Sequence, residues 1–256
     1  MQSIDKLFNL TGRHALITGA GGGIGLAIAN CYVNAGAKVT LSDVSEVRLQ
    51  AAISKMSGKQ VSVHACNLSK STQVNQLCQY VSNESIDILV CCAGMEGHLG
   101  PMAQCDDDQW QTLMKVNLVA AQKLSAAVVP HMMKQQWGRL IYVASIAGLR
   151  GNSALGLYGV AKAGLIQLAR NYAVQCGPYG ITANTIAPGL IDTPFSKGLQ
   201  ANTEFMNKRL QMTPLRRLGN ADEVASGALF LATPAGGFTT GHTLVIDGGT
   251  LISDGN

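Results

Sequence analysis

The sequence predicts an α/β protein: a doubly wound parallel sheet of about seven strands, with helices on both faces in three αβα layers. Three observations point there. Seven short runs rich in β-branched and aliphatic residues alternate with longer helical stretches. Such alternation builds βαβ units, and right-handed crossovers wind them into one sheet covered on both sides. No internal repeat, low-complexity segment or Pro/Ser-rich linker interrupts the alternation. A glycine-rich turn directly after the first run opens a helix, as the first βα unit of such a sheet does.

The strands are expected, in order, at residues 14–18 (HALIT), 38–42 (KVTLS), 61–65 (VSVHA), 87–91 (DILVC), 139–144 (RLIYVA), 181–186 (ITANTI) and 243–246 (TLVI). Two helical segments, about 107–135 and 156–176, are apolar over much of their circumference. Val116, Leu118, Val119 and Leu124 mark the first; Val160, Leu165, Ile166 and Leu168 mark the second. A helix apolar all round must be covered on its outer face as well, so a partner subunit is expected, in a homo-oligomer that is a dimer or tetramer. The segment at about 190–215 differs. Pro194 and Pro214 bracket it, Gly198 interrupts it, and its weak apolar periodicity reads as a flexible flap.

At 256 residues the chain is near the upper size of one hydrophobic core, so residues 1–256 are read as a single domain. The composition is 47% hydrophobic and 13% charged, which describes much buried surface rather than disorder. A net charge of +4, whose densest cluster is Arg216-Arg217, offers no basic stripe for nucleic acid. The amino-terminal stretch carries Asp5 and no long apolar run, so neither a signal peptide nor a membrane anchor is expected, and the chain is placed in the cytoplasm. Seven scattered cysteines without a CxxC pair fit reduced thiols and no metal site. Cys91-Cys92 reads as two small buried hydrophobes at a strand end.

Gly19, Gly23 and Gly25 stand where the first strand gives way to a helix. Glycine suits that turn because the backbone angles are unusual and a pyrophosphate must approach the main chain unobstructed by a Cβ. The sequence therefore predicts a dinucleotide site. Asp43 closes the second strand, where a carboxylate accepts hydrogen bonds from ribose hydroxyls and repels a 2′-phosphate. NAD is accordingly expected over NADP, although Arg48 lies close by and Asp43 is also a good helix cap.

Thr18 to Gly25 resembles the TGxxxGIG signature of the short-chain dehydrogenase/reductase family, a Rossmann-fold family, and the resemblance runs nearly end to end. It implies cofactor contacts from Gly19, Gly22, Gly23, Ile24 and Gly25, from Asp43 and Val44, and from Asn67-Leu68 after the third strand. NADP-preferring relatives often carry a basic residue where this chain has Gly22. Cys91-Cys92-Ala93-Gly94 replaces the family's Asn-Asn-Ala-Gly, which removes side-chain amides that tie the central strands together. Cys92, Ala93 and Gly94 nonetheless keep the family's cofactor-contact positions. Pro188-Gly189, Ile191 and Thr193 match the positions that hold the carboxamide.

Tyr158 and Lys162 are four apart and so share a helix face. A free phenol is a poor base at neutral pH, and an ammonium within about 4–6 Å is expected to bring its pKa down. Ser145 ends the fifth strand, on the rim where ligands bind in open α/β sheets. It reads either as a turn former or as a group that polarises a carbonyl with Tyr158. Asn117 lies inside a helical segment, where asparagine is mildly unfavourable; it either bends the helix or, as the resemblance implies, holds a water that links Lys162 to solvent. The resemblance also gives Lys162 the nicotinamide ribose, and sets Asn117, Ser145, Tyr158 and Lys162 as the catalytic residues.

The expected function is NAD-dependent interconversion of a secondary alcohol and a ketone, with Tyr158 as general acid and base, on a small-molecule substrate. One alternative is a 3-oxoacyl thioester (acyl carrier protein) reductase. An alternative of another class is a non-catalytic NAD-binding sensor or scaffold. The pocket is expected from Met95 to Leu99, from 149 to 157 and from the flap, with Ser145, Tyr158, Met95, Glu96, His98 and Leu155 against the substrate. His98 or Arg150 would meet a polar or anionic group, unless both are merely solvated loop residues.

Overall fold

A computed structural model describes residues 3–54, 56, 60–153 and 155–254. Helix α1 (Ile4–Leu7) precedes β1 (His14–Thr18), α2 (Gly23–Asn34), β2 (Lys38–Asp43), α3 (Glu46–Ile53), β3 (Val61–Ala65), α4 (Ser71–Asn83) and β4 (Ile88–Cys91). Then come α5 (Asp107–Met114), α6 (Ala120–Gln135), β5 (Gly138–Val143), α7 (Gly156–Cys176) and β6 (Ile181–Pro188). Helices α8 (Lys197–Gln200), α9 (Thr203–Gln211) and α10 (Ala221–Ala232) lead to β7 (Thr243–Ile246). The strands form one seven-stranded parallel sheet in the order β3-β2-β1-β4-β5-β6-β7. The fold class matches the sequence expectation.

Strand periodicity divides the core into two layers. On one face Leu16, Leu89, Leu140 and Tyr142 pack with Val74 and Leu77 of α4, Leu124 and Val128 of α6, and Leu165 of α7. Their neighbours Ile17, Val90, Ile141 and Val143 point the other way, onto Ile28 and Tyr32 of α2, Leu49 of α3 and Val224 of α10. Successive side chains alternate between faces, and both faces are covered, so apolar residues of the central strands point both ways. The Tyr32 hydroxyl donates to the Ala228 carbonyl at 2.9 Å and joins α2 to α10.

The segment expected to be one helix over 107–135 is interrupted. A π-turn spans Lys115–Val119 between α5 and α6, with Asn117 in it. Such turns widen the helix locally and re-aim a side chain. The segment at 190–215 also departs from a plain flap, because α8 and α9 lie in it. The Asn202 side chain accepts the Phe205 N–H at 2.9 Å, and Glu204 in the first turn with Lys208 and Arg209 in the last suit the helix dipole. Caps and end charges supply what apolar periodicity did not announce. Val119, Val160 and Val174 stand exposed, at 39%, 49% and 82%, on the segments read as needing a cover.

Chain order leaves β1 between β2 and β4, so the connections on its two sides run in opposite directions and a crevice opens beyond its carboxyl end. At the other edge, fully buried Asn184 of β6 donates to the Thr239 carbonyl at 2.8 Å and accepts the His242 N–H at 3.0 Å. Asn184→Ala removes the partner of two main-chain groups in the loop before β7, one on half-buried Thr239 and one on exposed His242. The variant is expected to lose about 1–3 kcal/mol of stability, read as a lower urea midpoint at unchanged m.

Candidate active site

One cleft of about 680 Å3 opens at the carboxyl ends of the strands. Its floor begins at the turn after β1. Gly19 has a φ of +69°, and a Cβ there would sit 2.8 Å from the Cα of Ala93. A Cβ on Gly25 would collide with the Gly19 carbonyl oxygen. Only hydrogen at these positions lets the turn lie flat against β4 and the first turn of α2 reach the cleft. The Thr18 hydroxyl oxygen then accepts the N–H groups of Cys92 and Ala93 at 3.2 and 3.3 Å, tying β1 to the end of β4. The tie runs through main chain, so it survives with cysteines in place of amides. Cys91 is buried in the core and Cys92 lines the cleft, and burial pushes both thiols up, Cys92 to about 12.

Every cofactor-side position named from the sequence lines this cleft. Asp43 reaches back over the turn. Its Oδ2 accepts the Gly21 N–H at 3.1 Å, and its Oδ1 accepts the Ser45 N–H at 3.1 Å and the Arg48 guanidinium at 2.8 Å. The Asn67 amide oxygen accepts from the N–H and hydroxyl of Ser69, at 3.0 and 2.8 Å, while Leu68 lines the wall. Across the cleft, Thr193 packs on the glycine turn, 3.3 Å from where a Gly23 Cβ would be. Ile191 bridges to Gly219 and holds that wall in place.

Tyr158, in the first turn of α7, and Ser145, after β5, line the same cleft, with Lys162 one helical turn on. The Ser145 oxygen caps a short helical turn by accepting the Ala147 N–H at 3.1 Å, and its side chain lies near enough to Tyr158 to act on the phenol. Lys162 is buried, lies 5.5 Å from the centre of the Tyr158 ring, and donates to the Val143 carbonyl at 2.8 Å. The expected depression of the phenol is overturned. Burial raises Tyr158 above its ordinary value, Ser145 opposes the rise, and Glu96 and Cys92 add to it. Burial likewise holds Lys162 down at about 8. The physical reason is that desolvation disfavours charge on both groups, and the ammonium faces a carbonyl rather than the phenol oxygen.

Asn117 does not line the cleft; it acts on it through the main chain. Its Oδ1 accepts the Met95 N–H at 2.8 Å and its Nδ2 donates to the Met95 carbonyl at 2.9 Å. A Cβ on Gly94 would lie 3.2 Å from Asn117 Oδ1 and 3.4 Å from Lys162 Nζ, so both side chains converge where that glycine leaves room. Met95, Glu96 and Leu155 line the cleft beyond Tyr158, whereas His98 does not. Ala154, within the expected pocket loop, lies outside the described residues. Arg209 of α9 also lines the cleft and was not foreseen. A charged residue inside the expected flap was the available signal.

All seven cysteines are free, and no group of His, Cys, Asp or Glu among the described residues could hold a metal ion. No helix among them is long and apolar enough to cross a membrane.

Comparison with known proteins agrees with this architecture. A family model described as Enoyl-(Acyl carrier protein) reductase matches residues 19–250. The chain is similar to the 3-oxoacyl-[acyl-carrier-protein] reductase FabG of Vibrio harveyi, 37% identical over 95% of this chain and 99% of that one. It is similar to a tropinone reductase homolog of Arabidopsis thaliana, 35% identical over 98% of this chain and 83% of the relative. A crystal structure of a gluconate 5-dehydrogenase from Burkholderia cenocepacia, in complex with NADP and tartrate, superposes with a TM-score of 0.91. The two are 30% identical, and the match covers 98% of this chain and 100% of the other. With the glycine turn, the Tyr158 and Lys162 pair and the sheet order all in place, the chain belongs to the short-chain dehydrogenase/reductase family of oxidoreductases.

Proposed function

We propose that the protein uses NAD in preference to NADP to interconvert a secondary alcohol and a ketone, with Tyr158 exchanging the hydroxyl proton. The observation that carries this reading is the convergence of Tyr158, Ser145 and Lys162 on the same cleft as the glycine turn. The residues present fit a dinucleotide: the turn leaves a cradle that a Cβ at Gly19 or Gly25 would disrupt, and the start of α2 faces it. When bound, the nicotinamide accepts or returns the hydride.

The chain's own groups handle the oxygen and its proton. Ser145 and Tyr158 hydrogen-bond the substrate oxygen, and Tyr158 gives its proton to the developing alkoxide in reduction or takes it in oxidation. A phenol raised above its ordinary value is in the acid form at neutral pH, which suits donation. Lys162 places a positive charge beneath the ring and, with Asn117, supports a path for the proton toward solvent.

Three features support NAD. With Oδ1 of Asp43 doubly engaged and Oδ2 accepting one bond, Oδ2 keeps acceptor capacity for a ribose hydroxyl. Its carboxylate disfavours a phosphate there, and Gly22 offers no cation. Arg48 offsets part of that repulsion, so the preference is a matter of degree rather than exclusion.

Exposed Val119, Val160 and Val174 support a homo-oligomer, dimer or tetramer; a small-molecule substrate and a place in the cytoplasm complete the proposal. A second reading, reduction of a 3-oxoacyl thioester, is favoured by the near full-length similarity to FabG of Vibrio harveyi. Acetoacetyl-CoA assayed beside simple ketones distinguishes the two.

Tyr158→Phe is expected to lower kcat by about 10²- to 10⁴-fold while NADH binding, read by fluorescence, stays intact. Turnover close to wild type would refute the assignment. Asp43→Ala should lower the NAD to NADP ratio of kcat/KM by about tenfold or more, and an unchanged ratio removes the ribose role.

Lys162 yields a prediction about stability. Between pH about 8, where it titrates in the folded chain, and its ordinary 10.5, the unfolded chain binds a proton that the folded one lacks. Folding stability attributable to Lys162 therefore rises with pH through that window, by about 3 kcal/mol, and is flat below it. Lys162→Met should lack this rise, measured as the difference in urea-derived stability between pH 7.5 and 10 for the two proteins.

A further inference from the structure

Among the described residues, six charged side chains line the cleft: Asp43, Arg48, Glu96, Arg150, Lys162 and Arg209. Asp43 and Arg48 pair with each other at 2.8 Å beside the glycine turn. Lys162 is buried and bonded to the Val143 carbonyl. Glu96, Arg150 and Arg209 remain. Glu96 is close enough to Tyr158 to act on its charge, Arg150 follows the turn that Ser145 caps, and Arg209 lines the cleft from α9.

The two arginines act on each other, and burial works against the charge of Arg209. Neither belongs to an ion pair among the described residues. Arg150 reaches the Thr250 carbonyl only at 3.4 Å. Asp247 favours the charge of Arg209 from nearby, but its oxygens accept the N–H groups of Gly249 and Leu251 at 2.8 and 2.6 Å. Two half-buried guanidinium groups across one cleft repel each other until an oxyanion lies between them, and their planar forks suit that role.

We infer that the substrate is a carboxylate-bearing hydroxy acid or its oxo acid, with the carboxylate held by Arg150 and Arg209 and the reacting carbon presented to Tyr158 and Ser145. The inference rests on the oxidoreductase reading above and narrows it. A carboxylate fits better than a phosphate because Glu96 in the cleft and Asp247 near Arg209 offset much of the two arginine charges, leaving too little surplus for a dianion. Binding the acid also gives α9 a contact across the cleft, so Arg209 selects substrate from the segment between β6 and β7.

The test is a matched panel assayed with NAD: glycerate against glycerol, tartrate against threitol, gluconate against glucitol, and 3-hydroxybutyrate against 1,3-butanediol. Acetoacetyl-CoA with NADH is the thioester arm. At least one acid should exceed its neutral partner in kcat/KM by about 10- to 100-fold. That ratio should fall toward one in Arg150→Met and Arg209→Met and be partly kept in Arg209→Lys, with NADH affinity reporting that each variant is folded. Equal use of acids and neutral partners, a preference for the thioester, or a ratio that survives both Met variants overturns the inference while leaving an oxidoreductase.

If nothing in the panel turns over, the oxidoreductase reading fails on its own, and tartrate binding to the NADH-loaded protein decides the arginine site. A tartrate-induced rise in Tm that is lost in the doubly substituted Arg150→Met, Arg209→Met protein supports the site. No rise in wild type overturns it.

Discussion

Everything at the working edge of this sheet depends on how closely the ends of β1 and β4 approach each other. Gly19 takes a left-handed backbone conformation hard against Ala93, and the Thr18 hydroxyl receives two main-chain N–H groups from the neighbouring strand. Because the contact is backbone on backbone, it leaves little freedom in where Gly94 and Met95 can go. Those two residues in turn set the positions of Asn117 and Lys162. The glycine turn thus shapes the reacting end of the cleft as well as the cradle.

The second constraint is the π-turn at Lys115–Val119. A regular helix through this region would turn Asn117 to a different azimuth, and the Met95 main chain would lose both of its amide partners. One irregular turn converts a residue that disfavours helices into a bracket for the loop after β4. The same economy appears at Ser145, whose oxygen caps a turn and whose side chain also meets Tyr158.

The sheet was legible in the sequence because short β-branched runs alternate with longer helical stretches, as the crossovers of a parallel sheet require. The glycines were legible for a steric reason that applies to any chain making this turn, and Tyr158 with Lys162 because helical spacing alone places them on one face. The π-turn was not, since Lys-Val-Asn-Leu-Val contains nothing that distinguishes a widened turn from an ordinary one. Helix α9 was hidden because capping and end charges, rather than an apolar stripe, support it. Arg209 was hidden for a further reason: its place in the cleft is set by how α9 folds back over the sheet, which no local pattern encodes. The direction of the Tyr158 shift was misread because spacing reports proximity and says nothing of solvent exclusion.

In the chemistry proposed for this cleft a phenol, a hydroxyl and an amine act, while the two thiols that line it stand aside. Burial holds Cys66 at about 11 and Cys92 at about 12, so at neutral pH both remain in the protonated form that reacts poorly with peroxides and alkylating agents. Thiol-directed reagents are therefore poor probes of this cleft, and an aerobic preparation has little to fear from oxidation there. A covalent inhibitor would find a better nucleophile in Lys162, held down at about 8, than in Tyr158, which burial raises.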